Sequence, residues 1–113
     1  VPYILEATRA GVPGSMNVAS VIVPDLVDAI IRQARAADGR AEALHRLLCQ
    51  IHLLQRLVHP AGSKYLLARR GVPLASYTRH PDSRRTAELR AGLDYASDGW
   101  FDNDGELRCL NLQ

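Results

Sequence analysis

Apolar residues recur at helical spacing through most of this chain, and the clearest run lies between Ala41 and about Val58. Its apolar positions follow the three-to-four-residue period of one helix face: Leu44, Leu47, Leu48, Ile51, Leu54 and Val58. Leu53 and Leu57 widen this stripe, so two faces of the helix are candidates for burial. The pattern predicts one long amphipathic helix in the middle of the sequence.

Two earlier helices are predicted before this one. Residues 3–10 form a short helix that Gly11 ends, and a second helix opens at Pro24 and Asp25. Proline is tolerated in a first turn, and an early acid complements the helix dipole. The second helix has an apolar stripe and ends at Asp38-Gly39. The stripe contains Leu26, Val27, Ile30, Ile31 and Ala34.

Between these two helices, turn residues at 11–14 lead into a β-branched run that ends at Val23. Such a run favours a short buried strand, which we place at Gly14–Val18, with a loop after it. The predicted order is therefore one strand among several helices.

The long helix stops at His59-Pro60, because a residue before proline disfavours the α region. A shorter helix is predicted from about Gly62 to Arg70, with Gly71 at the position after its end. Residues 72–81 contain two prolines and are predicted to be extended.

Asp82 or Ser83 can cap a last helix, whose apolar positions are Leu89, Leu93 and Ala96. Residues 100–107 then predict a hairpin or tight turn, with Asp104-Gly105 supplying the positive φ angles. A calcium loop is disfavoured, because counting back from the glycine puts Trp100 at the first ligand position.

Composition narrows the class of protein. The 113 residues suit one ordinary domain, and 47% apolar with 23% charged residues argues against disorder. A net charge of +2 does not indicate nucleic-acid binding. No apolar run approaches the roughly 20 residues of a membrane helix, and no signal peptide is evident. Cys49 and Cys109 are isolated, which favours reduced thiols in a cytoplasmic protein.

Candidate catalysts are scarce. His45, His52 and His59 fall seven residues apart, which is about 10 Å of helix rise and too far for two ligands of one zinc ion. They are interpreted as surface or interface histidines. Lys64 has no neighbour in sequence that would obviously make it nucleophilic. We predict no catalytic residue, no metal ligand and no cofactor.

Several short motifs, in order, resemble the carboxy-terminal part of the dihydrodipicolinate synthase and N-acetylneuraminate lyase family of pyruvate-dependent barrels. The matching segments run from the turn before the predicted strand to about residue 97: Gly11, Gly14, Ser15 and Met16; Pro24-Asp25-Leu26; Ala37-Asp38-Gly39; Pro60, Lys64 and Leu67; Gly71-Val72-Pro73; and Arg79-His80-Pro81. The chain departs from the family at Pro13, at Val21, where the family often has asparagine, and after Ser97.

The resemblance implies a mostly α chain: the last βα unit of a (β/α)8 barrel plus a carboxy-terminal helical extension at residues 1–97. Residues 98–113 would be a tail with a turn or hairpin. In the family, the imine-forming lysine, the catalytic tyrosine and the carboxylate-binding turn would precede Val1. The one pocket position that carries over is Met16, whose backbone carbonyl would face the lysine and pyruvate. A closed barrel needs about 200 residues or more.

These implications predict the carboxy-terminal segment of a lyase or aldolase that forms a Schiff base with pyruvate or another 2-oxo acid. The segment would not be catalytic by itself. Its partners would be the remainder of the barrel or further copies in a homo-oligomer, with no nucleic acid and no membrane. One alternative is a stand-alone helical module for protein interaction or oligomerisation. Another is a small regulatory helical bundle.

Overall fold

The computed structural model describes residues 1–75, 78–79 and 87–111, and these are mostly helical. The helices are α1 (Ile4–Arg9), α2 (Pro24–Arg35), α3 (Arg40–Val58), α4 (Ala61–Arg69) and α5 (Ala87–Trp100), with a 3₁₀ turn at Val18–Val21. None of the described helices carries an apolar stretch long enough to cross a lipid bilayer. The prediction of a mostly α chain is confirmed.

The chain divides into two compact units, Val1–Leu53 and Leu54–Gln113. The division falls within α3, the long helix that the leucine pattern predicts. The predicted boundary between residues 97 and 98 comes from the family resemblance, and it stays a prediction.

The first unit packs α2 against α1 and against the 3₁₀ turn. Its helices bury the predicted α2 stripe, in which Ile31 is the most exposed member. The buried apolar side chains are Ile4, Leu5, Ala19, Ile22, Val23, Leu26, Val27, Ala29, Ile30, Ala34, Ala41, Leu44, Leu48 and Ile51. Burial of apolar surface is therefore the main stabilising term in this unit.

The predicted strand at Gly14–Val18 is wrong as secondary structure. Residues 12–17 form no ladder with any described segment, and Val18 already belongs to the 3₁₀ turn. The side chain of Asn17 accepts a hydrogen bond from the Ser20 N–H at 2.9 Å and starts that turn. Such a local side-chain bond competes with strand formation, and a single strand has no neighbour to satisfy its main chain.

In the second unit, the start of α4 lies very close to the end of α3. A Cβ atom added at Gly62 would lie 2.0 Å from Cγ2 of Val58. Because no real side chain tolerates that distance, this approach requires glycine. At the other end of α4, Gly71 has φ +91, which confirms its predicted place after the helix.

Two polar pairs connect α4 to α5, each one turn along from the other. The Tyr65 hydroxyl donates a hydrogen bond to the Asp94 carboxylate, and the Arg69 guanidinium pairs with Asp98. The bond to Asp94 raises the pKa of Tyr65, because it holds the phenolic proton; desolvation adds to this effect. The predicted caps of α5, Asp82 and Ser83, lie outside the described residues.

The segment after α5 forms the predicted turn. Phe101 and Leu107 make an antiparallel bridge, both are buried, and Gly105 has φ +80. The Arg70 Nε donates to the Gly105 carbonyl at 2.9 Å, and its guanidinium lies 5.1 Å from the centre of the Phe101 ring. The turn is therefore packed against the end of α4. Helix α5 also runs to Trp100, beyond the predicted Ala96.

Asp102 organises that turn from within. One carboxylate oxygen accepts the N–H groups of Asp104 at 2.9 Å and Glu106 at 3.0 Å, and the other accepts from Asn111 at 3.0 Å. The bond from the Glu106 N–H is the main reason that the pKa of Asp102 lies below its ordinary value.

Candidate functional site

Met16, the one predicted site residue, lies at the surface of the first unit between α1 and the 3₁₀ turn. Its side chain is 100% exposed. The main chain of residues 14–16 makes no hydrogen bond with any described residue. The role of the Met16 carbonyl stays a prediction.

The two ends of this segment are held in place. On one side, the Val12 N–H donates to the Ala7 carbonyl at 3.0 Å, and Arg35 donates to the Pro13 carbonyl at 2.7 Å. On the other side, Asn17 Oδ1 accepts from the Ser20 N–H of the 3₁₀ turn at 2.9 Å. The unbonded stretch is therefore short, and its ends are anchored to the first unit.

A shallow groove of about 200 Å³ lies beside the segment. Its lining is mostly apolar and comes from α1 and from the segment itself: Val1, Tyr3, Ile4, Ala7, Thr8, Gly14 and Ser15. No Asp, Glu, histidine or lysine is among these residues. The arrangement offers main-chain donors and acceptors, apolar contact and the phenol of Tyr3.

Lys64, considered as an imine-forming lysine, lies in the first turns of α4 in the second unit. Its main-chain N–H donates to the Pro60 carbonyl at 3.1 Å, and its side chain is half-buried. Lys64 lies in the second unit and Met16 in the first.

The histidines lie where the helical pattern puts them. His45 and His52 are half-buried on α3, and His59 is exposed just beyond the helix end. Sequence reasoning missed the contacts of His59 and His45. His59 Nδ1 lies 2.8 Å from the Ser63 hydroxyl, and His45 Nε2 lies 2.9 Å from the Val1 carbonyl.

Ser63 is the centre of a small buried network in the second unit. Gln55 donates to its hydroxyl oxygen at 3.1 Å, so the hydroxyl proton is available to His59 Nδ1. A serine beside an imidazole is the arrangement of a nucleophile and its base. Ser63 is only 3% exposed, however, which makes a structural role the better interpretation. The four-residue spacing between His59 and Ser63 is the sequence signal that could have identified this contact.

Comparison with known proteins gives no further guide. No protein-family model, no curated protein and no solved structure matches the chain. Functional interpretation therefore depends on the motifs and on the geometry described above.

Proposed function

We propose that this chain is the carboxy-terminal segment of a Schiff-base-forming lyase of the dihydrodipicolinate synthase and N-acetylneuraminate lyase type. The parent enzyme would act on pyruvate or another 2-oxo acid in the cytoplasm. In this proposal the chain completes a (β/α)8 barrel, and the imine-forming lysine and the catalytic tyrosine come from residues outside it.

The observation that carries the proposal is the unbonded main chain at residues 14–16, next to the exposed Met16. A barrel strand needs neighbours on both sides, and in their absence its N–H and C=O groups are left to water. The family motif that would form the eighth strand is the same stretch. The helix that follows opens at Pro24-Asp25, as the motif requires.

The role proposed for Met16 depends on its main chain and not on its thioether. Its carbonyl would accept a hydrogen bond near the imine when the segment is paired as a strand. No acid or base is required of the segment for this role.

Reductive trapping tests the proposal. The chain alone and the product of its coding region extended upstream of Val1 are each incubated with pyruvate and cyanoborohydride, and the adducts are mapped by peptide mass spectrometry. We expect an adduct on an upstream lysine of the extended protein, and none on the chain alone. An adduct on Lys64, or an extended protein that is never trapped, would contradict the proposal.

Two variants at one position test the main-chain role. Met16→Pro removes an N–H that a strand needs, so it should lower trapping of the extended protein at least tenfold. Met16→Leu keeps the main chain and should trap like the wild type. Circular dichroism of the isolated chain with Met16→Pro serves as the folding control, since residue 16 is exposed there. Equal trapping of both variants would overturn the proposed pairing of this segment as a barrel strand.

The second candidate is a helical module that binds another protein. Leu53 and Leu57, one turn apart on α3, are each 66% exposed, although the sequence pattern made this face a candidate for burial. Large contiguous exposed apolar patches mark interaction surfaces, and Leu57 is a candidate member of such a patch. Light scattering of the purified chain tests this candidate: self-association that Leu57→Ser abolishes favours it, and a monodisperse monomer argues against self-association through this face.

A further inference from the structure

Residues 13–18 lie between α1 and α2 and include the first residue of the 3₁₀ turn, and none of their side chains is buried. The main chain of residues 14–16 makes no hydrogen bond with any described residue. Asn17, which follows, has an extended main chain with φ −153 and ψ 158. This part of the first unit therefore offers main-chain donors and acceptors that a second protein can pair with.

An endoprotease requires such a segment, because it pairs with the main chain of its substrate and takes one side chain into its S1 pocket. Met16 offers that side chain. It is 100% exposed and carries a long, flexible, apolar thioether. A hydrophobic S1 pocket of the chymotrypsin type suits this side chain, whereas a pocket for small or cationic side chains does not.

We propose that the peptide bond between Met16 and Asn17 is a site of limited proteolysis by serine proteases with a hydrophobic S1 pocket. The protease serine adds to the Met16 carbonyl carbon, and the Asn17 nitrogen leaves as an amine after it takes a proton. Water then hydrolyses the acyl-enzyme and releases Met16 as a carboxylate. Residues 13–18 supply the positions on both sides of this bond.

Exposure of a side chain alone does not make an equivalent site. Leu57 on α3 and Tyr95 on α5 are large side chains, 66% and 87% exposed. Their main chain, however, is helical. Because a helix has to open locally before it can bind as a strand, cleavage at these two residues is limited by the small population of the open form.

The residues after the scissile bond set the expected rate. The Asn17 side chain accepts from the Ser20 N–H at 2.9 Å, and the Ser20 hydroxyl donates to the Asn17 carbonyl at 2.6 Å. A protease competes with these local bonds when it binds Asn17 and Val18. Since each bond contributes modestly to stability, we expect cleavage to be about ten- to a hundredfold slower than in an unfolded peptide.

Chymotrypsin digestion of the full chain tests the site. Mass spectrometry gives the initial rate of cleavage after Met16, Leu57 and Tyr95, and each rate is divided by that of the same bond in a synthetic peptide. The ratio should be at least about tenfold larger for Met16 than for either helical residue, because the helices have to open first. Equal ratios, or a larger ratio at Leu57 or Tyr95, would overturn the proposal.

Two variants test the contact with the S1 pocket. Met16→Leu keeps a long apolar side chain and should be cut about as fast as the wild type. Met16→Asp places an unpaired charge in the pocket and should slow cleavage at this bond at least about a hundredfold. Circular dichroism serves as the folding control, since residue 16 is exposed. Cleavage of Met16→Asp at the wild-type rate would rule out Met16 as the side chain that the protease selects.

A further arm, which rests on the proposed function, digests the protein extended upstream of Val1. A strand paired in a barrel withdraws its main chain from a protease, so the Met16 bond should be cut at least about tenfold more slowly there. If the isolated chain and the extended protein are cut equally fast, the proteolytic site stands and the barrel strand is wrong. An isolated chain that resists cleavage after Met16 overturns the site itself.

Discussion

The two units of this chain use different interactions. In the first, most of the described core is apolar and comes from α2 and α3, and the ion pairs lie at the surface: Arg9–Glu42, Arg32–Asp28 and Arg40–Asp38. In the second, hydrogen bonds and ion pairs from side chains of α4 concentrate on α5 and on the turn after it. Tyr65 and Arg69 on α4 bind Asp94 and Asp98 on α5, and Arg70 binds the turn at Gly105.

This difference predicts which substitutions should most reduce the free energy of unfolding in each unit. Exposed ion pairs contribute little, so the first unit should depend on the volume of its buried side chains. The second unit should be sensitive both to close backbone approach and to individual hydrogen bonds. The following experiments test this contrast, beginning with the largest effect.

Leu48→Ala should destabilise the protein most. Leu48 is fully buried on α3, and truncation of such a leucine costs about 2–5 kcal/mol through lost apolar burial and the cavity that remains. Leu53→Ala is the matched control on the same helix, since Leu53 is 66% exposed; its effect should stay within about 0.5 kcal/mol. Urea unfolding followed by circular dichroism measures both. Similar losses would refute the apolar core of the first unit.

Gly62→Ala should be the next most damaging, in the second unit. The added methyl group would overlap Val58 at 2.0 and 2.5 Å, and overpacking costs about 1–3 kcal/mol. Gly92→Ala on α5 is the control, because a Cβ added there would have nothing within 4 Å. It should stabilise the helix by up to about 1 kcal/mol. The unfolding midpoints should therefore move in opposite directions.

The positions of most described helices could be predicted from the periodicity of apolar residues and from the prolines and glycines at helix ends. Leucine spacing located α3, Pro24-Asp25 located α2, and glycines located the ends of α1 and α4. The strand failed for a physical reason: β-branched residues favour a strand only when a neighbouring strand pairs with it. The Asn17 side chain instead began a 3₁₀ turn.

The spacing of residues along a helix could have identified some of the side-chain contacts described above. His59 and Ser63 are four residues apart, which is one helical turn. Contacts across the chain, such as that between Tyr65 and Asp94, depend on how α4 and α5 pack and have no sequence signal. The Met16 assignment comes from family resemblance and stays a prediction.

A smaller effect is expected from Tyr65→Phe, which deletes the bond to Asp94. Because both groups are half-buried, we expect a loss of about 0.5–1 kcal/mol. Tyr95→Phe, at a phenol 87% exposed on α5, should change stability less. The pKa of Tyr65 is raised above 10.0, so its contribution is complete below that pH and is lost as the pH rises through the folded-state pKa. The wild type should therefore lose more stability in alkali than Tyr65→Phe.

The smallest effects concern two half-buried carboxylates, one in each unit, whose pKa values are both lowered from 3.8. For Asp38 the first cause is the hydrogen bond from the Arg40 side chain, and for Asp102 it is the Glu106 N–H. Each contribution is present above pH 3.8 and is lost as the pH falls through the lower, folded-state pKa.

Salt should separate these two carboxylates. At about 1 M ionic strength the screening length is about 3 Å, which weakens an exposed ion pair such as Asp38–Arg40. The N–H donors of Asp102 carry no net charge and should be affected less. Carboxyl-carbon NMR titration at low and high salt should therefore show the pKa of Asp38 rising further than that of Asp102. Equal shifts would mean that charge, and not hydrogen-bond geometry, also sets the pKa of Asp102 in the turn of the second unit.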